Sequence, residues 1–251
     1  DHRDLHLSIR RQRQMCIRDR RYDNKYISRN SYEYEFMEVM GVSSPSYSWE
    51  FRNNTGISPV VDTVRGVVAT TVNGATSTSE GMVFDGDGDY VDVEAMTMGG
   101  GAMTIECYTK WDSNQSWSRI IDFGNGQGLD NIVIANYGTY ETITLHVHDP
   151  TTDTSGTGNS QNNSGVSIDI GSMVHWVFVI DDIHKIYKNG INVYTSASGK
   201  GYATNKLRTN NRIGRSNWLG DRFFQGIIAY LRIWDGTALT EDQIKILMLI
   251  L

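Results

Sequence analysis

What most constrains this chain is its rhythm from Tyr47 onward: short alternating apolar and polar segments, punctuated every few positions by Gly, Asn or Asp. Alternation with period two sends successive side chains to opposite faces of a strand, so that one face is buried and the other wet. A chain made of many such segments closes into a sandwich or barrel. Tyr47-Ser-Trp49-Glu-Phe51 sets three aromatics on one face, Tyr90-Val-Asp-Val93 follows a glycine-rich turn, and Met103-Thr-Ile105-Glu-Cys107 continues the pattern. Met173–Ile180, MVHWVFVI, is apolar nearly throughout, which predicts a central strand covered on both faces. Asn189-Gly190 supplies the positive φ that a type I′ turn needs at both positions, and so predicts a tight hairpin between residues 186–188 and 191–193. Trp49, Trp111, Trp176 and Trp234 lie on such segments and are expected in the core.

Other stretches break the rhythm. Residues 151–165, TTDTSGTGNSQNNSG, have no apolar side chain to bury and read as a mobile loop. Near the far end, Thr240 and Gln243 form a capping box for a short helix with Ile244 and Leu247 on one face, and residues 248–251 read as an exposed apolar end. Residues 1–21, which contain the run RRQRQMCIRDR, resemble translated adapter sequence, the alternative being a native basic tail whose charge keeps it disordered, and no signal peptide is visible. The expected organisation is therefore a disordered, partly non-native tail over residues 1–46 and one domain over 47–251.

Charge narrows the function. Residues 1–29 hold nine Lys or Arg and four Asp or Glu, so the remainder holds 23 − 9 = 14 against 29 − 4 = 25, a balance of −11. A nucleic-acid binder concentrates cations on its folded face, and this body does the reverse. No window approaches the roughly 18 consecutive apolar residues of a membrane-spanning helix. The two cysteines, Cys16 and Cys107, lie too far apart in sequence to read as a disulfide framework. Nucleophile elbow, phosphate loop and dinucleotide fingerprint are all missing, which argues against an enzyme. Three glycosylation sequons, at Asn53, Asn114 and Asn162, are about as many as chance gives and decide nothing.

Several segments, taken in order, carry a resemblance. They are Gly81-Met-Val-Phe-Asp-Gly86 with Asp89-Tyr-Val91, the run from Met103 to Trp111, and His175-Trp-Val-Phe with Lys188-Asn-Gly190. Ile213-Gly-Arg-Ser-Asn-Trp218, Phe224-Gln-Gly-Ile and Leu231-Arg-Ile-Trp234 complete the set. Over about residues 47–247 the chain resembles the laminin G-like or concanavalin A-like modules, in the branch that includes the pentraxins. That resemblance implies an all-β, two-sheet antiparallel jelly-roll β-sandwich with a short C-terminal helix, placed outside the cell or on its surface.

The resemblance also implies candidate calcium ligands. The family's Asp-Asn pair is matched by Asp130-Asn131, and of its second cluster, which falls on Arg215-Ser216-Asn217, only Asn217 carries over, with the Arg215 cation opposing a metal. Asp85 and Asp89 of the run DGDGD are further oxygen candidates, although the distal Glu of an EF-hand is missing, Met96 standing there. His146-Val-His148, with Asp149 beside it, would place two imidazoles on one strand face as a zinc pair. His175 and His184 read as structural.

Sugar sites stack a pyranose on an aromatic ring and tie its hydroxyls to Asp, Asn or Arg. Two loops offer that combination: Trp218 with Asn217, Asp221 and Arg222, and Trp117 with Asn114 and Gln115. The competing reading is that each tryptophan covers a sheet edge. The expected function is a carbohydrate-binding or adhesive lectin-like module of a larger extracellular protein, calcium-assisted if the metal ligands serve, with a glycan or glycoprotein as partner. The alternatives are a structural or protein-interaction module without glycan binding, and a glycoside hydrolase. The last rests on Glu33, Glu35 and Glu38, whose spacing resembles the E-x-D-x-x-E of laminarinase-type glucanases with Glu in place of Asp. It precedes everything that reads as sandwich, and a solvated acidic lead-in is the plainer reading.

Overall fold

A computed structural model describes residues 29–52, 58–148, 160–198 and 200–251. Most of the expected tail, residues 151–159 of the expected loop, the Asn53 sequon and Asp149 lie outside the described residues. The strands in chain order begin with β1 (Tyr47–Glu50), β2 (Val60–Val61), β3 (Val68–Val72), β4 (Thr76–Ser77), β5 (Met82–Asp85) and β6 (Tyr90–Val93). They continue with β7 (Met96–Met98), β8 (Met103–Trp111), β9 (Arg119–Gly124), β10 (Ile132–Asn136), β11 (Thr142–Val147) and β12 (Ser160–Ser167). The last six are β13 (Met173–Ile180), β14 (Lys185–Lys188), β15 (Ile191–Thr195), β16 (Lys206–Arg208), β17 (Asn210–Ile213) and β18 (Gln225–Asp235). Helices α1 (Arg29–Val39) and α2 (Glu241–Leu247) flank them.

One sheet runs β15-β14-β13-β8-β18-β5-β4, with β1 also on β18, and the second runs β12-β11-β10-β9-β17-β6-β3-β2. The pairings are antiparallel, and β16 with β7 makes a small third ladder. This is the expected two-sheet sandwich. Its main core lies between the sheets and holds Trp49, Trp111 and Trp176, while Trp234 is buried in a second cluster on the outer face of the first sheet. That second cluster explains why β13 is apolar on both faces: Trp176 and Phe178 meet the core, Val177 and Val179 meet the helices. At Gly226, where β18 crosses β8, a Cβ would stand 1.9 Å from the Lys110 carbonyl oxygen, so only glycine lets these two strands approach.

The hairpin at Asn189-Gly190 forms with φ of 51° and 77°, and Asn189 Oδ1 accepts from the His175 backbone N–H at 3.0 Å. The capping box on α2 forms as expected, with Ile244 and Leu247 buried. His175 and His184 are buried and hydrogen-bonded, to Glu106 at 2.8 Å and to Asn162 and the Gly201 carbonyl at 2.8 and 2.9 Å.

Three expectations are corrected. First, the acidic lead-in is helix α1, whose Glu33, Phe36 and Met37 share a face by their three- and four-residue spacing and, with Met40 just past the helix end, pack on the first sheet. Glu33 is not a solvated carboxylate: it ion-pairs with Arg232 and lies 4.0 Å from Arg52. Arg232 also reaches Glu106 at 3.4 Å; burial alone would raise the Glu106 pKa, but Arg232 and His175 hold it below the ordinary carboxylate range. The packed domain therefore includes residues from the expected tail. Second, residues 160–167 form edge strand β12 beside β11, because a polar segment can still pair its backbone; Asn162 adds a bond to the Leu145 carbonyl at 3.2 Å. Third, the apolar end is a 3₁₀ turn, Met248–Ile250, with Ile250 buried against the second cluster.

Candidate functional site

The outer face of the second sheet is set by alternation. On β11, Ile143, Leu145 and Val147 enter the core, so Thr144 and His146 face outward, and His148 continues that row. On β9, Phe123 and Ile121 enter the core while Asp122 faces outward, across from Val133 of β10 and Arg212 of β17.

Two loops then fold over this face. The loop of residues 112–118 ends in Trp117, whose φ of 54° is rare for a bulky residue and whose N–H donates to the Gly138 carbonyl at 2.8 Å. The loop of residues 214–224 turns back across β17, so that Asn217 reaches Asp122 and the Asn210 carbonyl at 3.0 Å. The result is a row of rings: Tyr137 lies 5.2 Å from Trp117, Trp117 5.6 Å from His146, His146 6.0 Å from His148, and His148 5.2 Å from Trp218. Leu219, 92% exposed, stands beside Trp218 at the loop tip.

Arg119 ties the row together. Its guanidinium carbon lies 5.6 Å from the Trp117 ring centre and 5.1 Å from that of Trp218, and the residue is only 4% exposed. Nη2 donates to Asp221 Oδ2 at 2.6 Å, Nε donates to Ser216 Oγ at 3.2 Å and lies 3.4 Å from Asp122 Oδ2, and Nη1 has no hydrogen-bond partner. His146 Nε2 is likewise buried without one. Burial, then the Arg119 charge and His148, push the His146 pKa well below the ordinary imidazole value, so this ring is neutral at physiological pH. Burial raises the Asp221 carboxyl, against the pull of Arg119 and Ser216.

Asp122, fully buried, is the hub beneath. It accepts from Asn131 Nδ2 at 2.7 Å, from the Asn217 N–H at 2.9 Å and from Asn217 Nδ2 at 2.9 Å. A Cβ at position 124 would stand 2.4 Å from Asn131 Nδ2, so Gly124 makes the room.

The sequence candidates therefore divide. Trp117, Trp218 and Asp221 come together around Arg119, and Asn131 and Asn217 meet at Asp122. Asp130 leaves that group: its φ is 59°, and its carboxylate accepts from Asn125 Nδ2 at 3.1 Å and Thr204 Oγ1 at 3.3 Å. Asp89 accepts from the Gly74 N–H at 2.6 Å and the Asp85 N–H at 3.3 Å, and Asp85 accepts from the Asp87 N–H at 2.7 Å, so both brace turns. Arg222 is exposed and gives only its backbone N–H, to the Ser116 carbonyl at 3.0 Å. Arg215 lies over Tyr90 and Phe223, at 4.6 and 5.6 Å.

Calcium takes about six to eight oxygen ligands. Asn131 and Asn217 instead present amide nitrogen to Asp122, and Asp130 turns elsewhere. Among the described residues no three His, Cys, Asp or Glu gather as a metal-ligand group. As arranged, these residues do not fit the ion.

Sequence reasoning missed Arg119, Asp122 and His146 as partners of the two tryptophans. The available signal was a cation and a carboxylate inside RIIDFG, where a buried strand has no use for either unless they are paired.

The model of a family described as the concanavalin A-like lectin/glucanases superfamily, Laminin_G_3, matches residues 85–245. No curated protein matches the sequence. Among solved structures, domain 4 of AbnA, a GH43 extracellular arabinanase from Geobacillus stearothermophilus in complex with arabinotriose, is similar at TM-score 0.63 and 17% identity, covering 80% of this chain and 97% of that one. Trypanosoma rangeli sialidase in complex with sialic acid is similar at TM-score 0.58 and 14% identity, covering 87% of this chain and 37% of the sialidase. A mutant of that sialidase displaying trans-sialidase activity aligns at TM-score 0.58 and 15% identity, over 83% and 34%. At these identities the likeness shows the fold; the chain spans about a third of the sialidases' length. No helix among the described residues is long and apolar enough to cross a membrane.

Proposed function

Because the chain belongs to the concanavalin A-like lectin/glucanase superfamily, we propose that it is a carbohydrate-binding module whose site is the ring row on the outer face of the second sheet. The observation that carries this reading is the pair Trp117 and Trp218, held on separate loops with one buried arginine between them. Pyranose and furanose rings present C–H faces to aromatic rings and hydroxyls to polar edges, and this row offers both. Holding Trp117 at positive φ costs about 1–3 kcal/mol, a strain of the kind that clusters at ligand sites.

The module works by binding, not by hydrolysis: Glu33 and Glu106 are tied into ion pairs under α1, away from the ring row, and the acids beside the row, Asp122 and Asp221, are held by Arg119 and by hydrogen bonds. The site is metal-free in this reading, as the turned-away amides support. Extracellular placement within a longer protein is supported by the arabinanase likeness, whose named protein is extracellular.

The test is a glycan array followed by calorimetry on the best ligand. Trp117→Ala and Trp218→Ala should each weaken binding by about tenfold or more, the equivalent of about 1.4 kcal/mol, with folding retained. Calcium or a chelator should change nothing. A folded protein that binds no glycan on the array would leave the structural-module reading standing instead.

A further inference from the structure

If the ring row holds a sugar, the charges around Arg119 decide which kind. An arginine in a sugar site is well suited to grip a carboxylate or sulfate, by two parallel N–H bonds from one edge of its guanidinium. Here Nη2 donates to Asp221 at 2.6 Å and Nε is engaged with Ser216 and the nearby Asp122, so the edge that these two nitrogens form is spent. Nη1, at the far end, has no hydrogen-bond partner but is buried, so that end does not face an incoming two-point anion.

The charge sum agrees. One guanidinium against the carboxylates of Asp122 and Asp221 gives 1 − 2 = −1 for the three groups, and His146 adds no cation because its environment keeps it neutral. The second unpartnered atom, His146 Nε2, is buried as well and belongs to a neutral imidazole, so it offers an anion no charge. Arg212, directly across from Asp122 and donating to the Ser216 carbonyl at 3.5 Å, lies 3.7 Å from Asp92, so adding that pair gives 2 − 3 = −1 and leaves the sum unchanged, while Arg215 rides on Tyr90 and Phe223.

Resting on the glycan reading above, we infer that the sugar seated on Trp117 and Trp218, over the buried Arg119, is uncharged, a neutral hexose or pentose unit without carboxylate, sulfate or phosphate. The selectivity comes from Asp221 and Asp122, which neutralise Arg119 in advance and repel an incoming anion.

The experiment titrates wild type and Asp221→Asn, by calorimetry, with matched oligosaccharides that differ only by one carboxylate or sulfate. Wild type should prefer the neutral member by about tenfold or more, which corresponds to about 1.4 kcal/mol. Asp221→Asn frees part of the Arg119 cation and should narrow that ratio to about threefold or less, and Asp221→Glu should restore it. A wild-type preference for the charged member, or a ratio unchanged in Asp221→Asn, overturns the inference while leaving the glycan reading intact. Failure of wild type to bind either member of any pair overturns both.

Discussion

Replacing Asp122 tests how the site is held. The carboxylate accepts three hydrogen bonds from Asn131 and Asn217, at 2.7 to 2.9 Å, and pairs with Arg119 at 3.4 Å. In Asp122→Ala one buried and two half-buried donors lose this acceptor, at up to about 1–3 kcal/mol each before relaxation, and one partner of a buried ion pair disappears, at about 3–5 kcal/mol. These terms overlap, since Asn217 swings out as one unit and Arg119 keeps Asp221, so about 3–5 kcal/mol is expected in all. A domain of this size loses about 2–4 °C of Tm per kcal/mol, giving a fall of about 6–20 °C. Asp122→Asn keeps the shape and one acceptor oxygen but points an amide nitrogen at other donors, and should cost less than alanine. Urea unfolding at unchanged m-value, with calorimetric melting, measures both. A loss under about 1 kcal/mol in Asp122→Ala would refute the reasoning, because it would mean that the loop carrying Trp218 is not anchored through this carboxylate.

Three further outcomes follow from the same contacts. Burial depresses the pKa of His146 and His184 below their unfolded value of 6.5, so the neutral rings stabilise the fold above that pH, and the contribution is lost as pH falls through the folded values. Thermal melts should be flat from about pH 8 to 7 and decline below about pH 6.5, at up to about 1.4 kcal/mol per pH unit per histidine, with a shallower decline in His146→Gln. Glu33→Gln, which removes one charge from the pair with Arg232, should lower stability in urea by about 1.5–3 kcal/mol and leave glycan affinity unchanged, since α1 covers the opposite sheet. Gly226→Ala should cost about 3 kcal/mol or more in the same assay, because the methyl group meets the Lys110 carbonyl oxygen at 1.9 Å in a strand pair that cannot separate.

The sequence made the sandwich legible because alternation and turn chemistry are local. Asn189-Gly190 needs only its own φ preferences, and Thr240 with Gln243 needs only one turn of helix. Helix α1 was misread because its three glutamates mask Phe36 and Met37, which meet on one face only in helical projection, and because Glu33 on that face is buried through its pair with Arg232. Strand β12 was misread because an edge strand is held by backbone bonds that leave no apolar mark. For the site, residue types pointed to Trp117, Trp218 and Asp221, but their meeting depends on two loops folding over β9, and no spacing encodes that. The Asp130-Asn131 pair shows the converse: neighbours in sequence, they part at a positive φ, one toward Thr204 and the other toward Asp122.

The central claim is that the outer face of the second sheet binds sugar through Trp117 and Trp218. The chain has six tryptophans, and Trp49, Trp111, Trp176 and Trp234 are buried elsewhere in the fold. Each indole N–H gives its own resonance in a ¹⁵N-correlated NMR spectrum, assignable by single Trp→Phe variants. Titration with the best neutral oligosaccharide should move the Trp117 and Trp218 resonances together, saturating at one affinity, while the four buried indoles stay in place. Saturable binding that leaves both Trp117 and Trp218 unmoved would contradict the account.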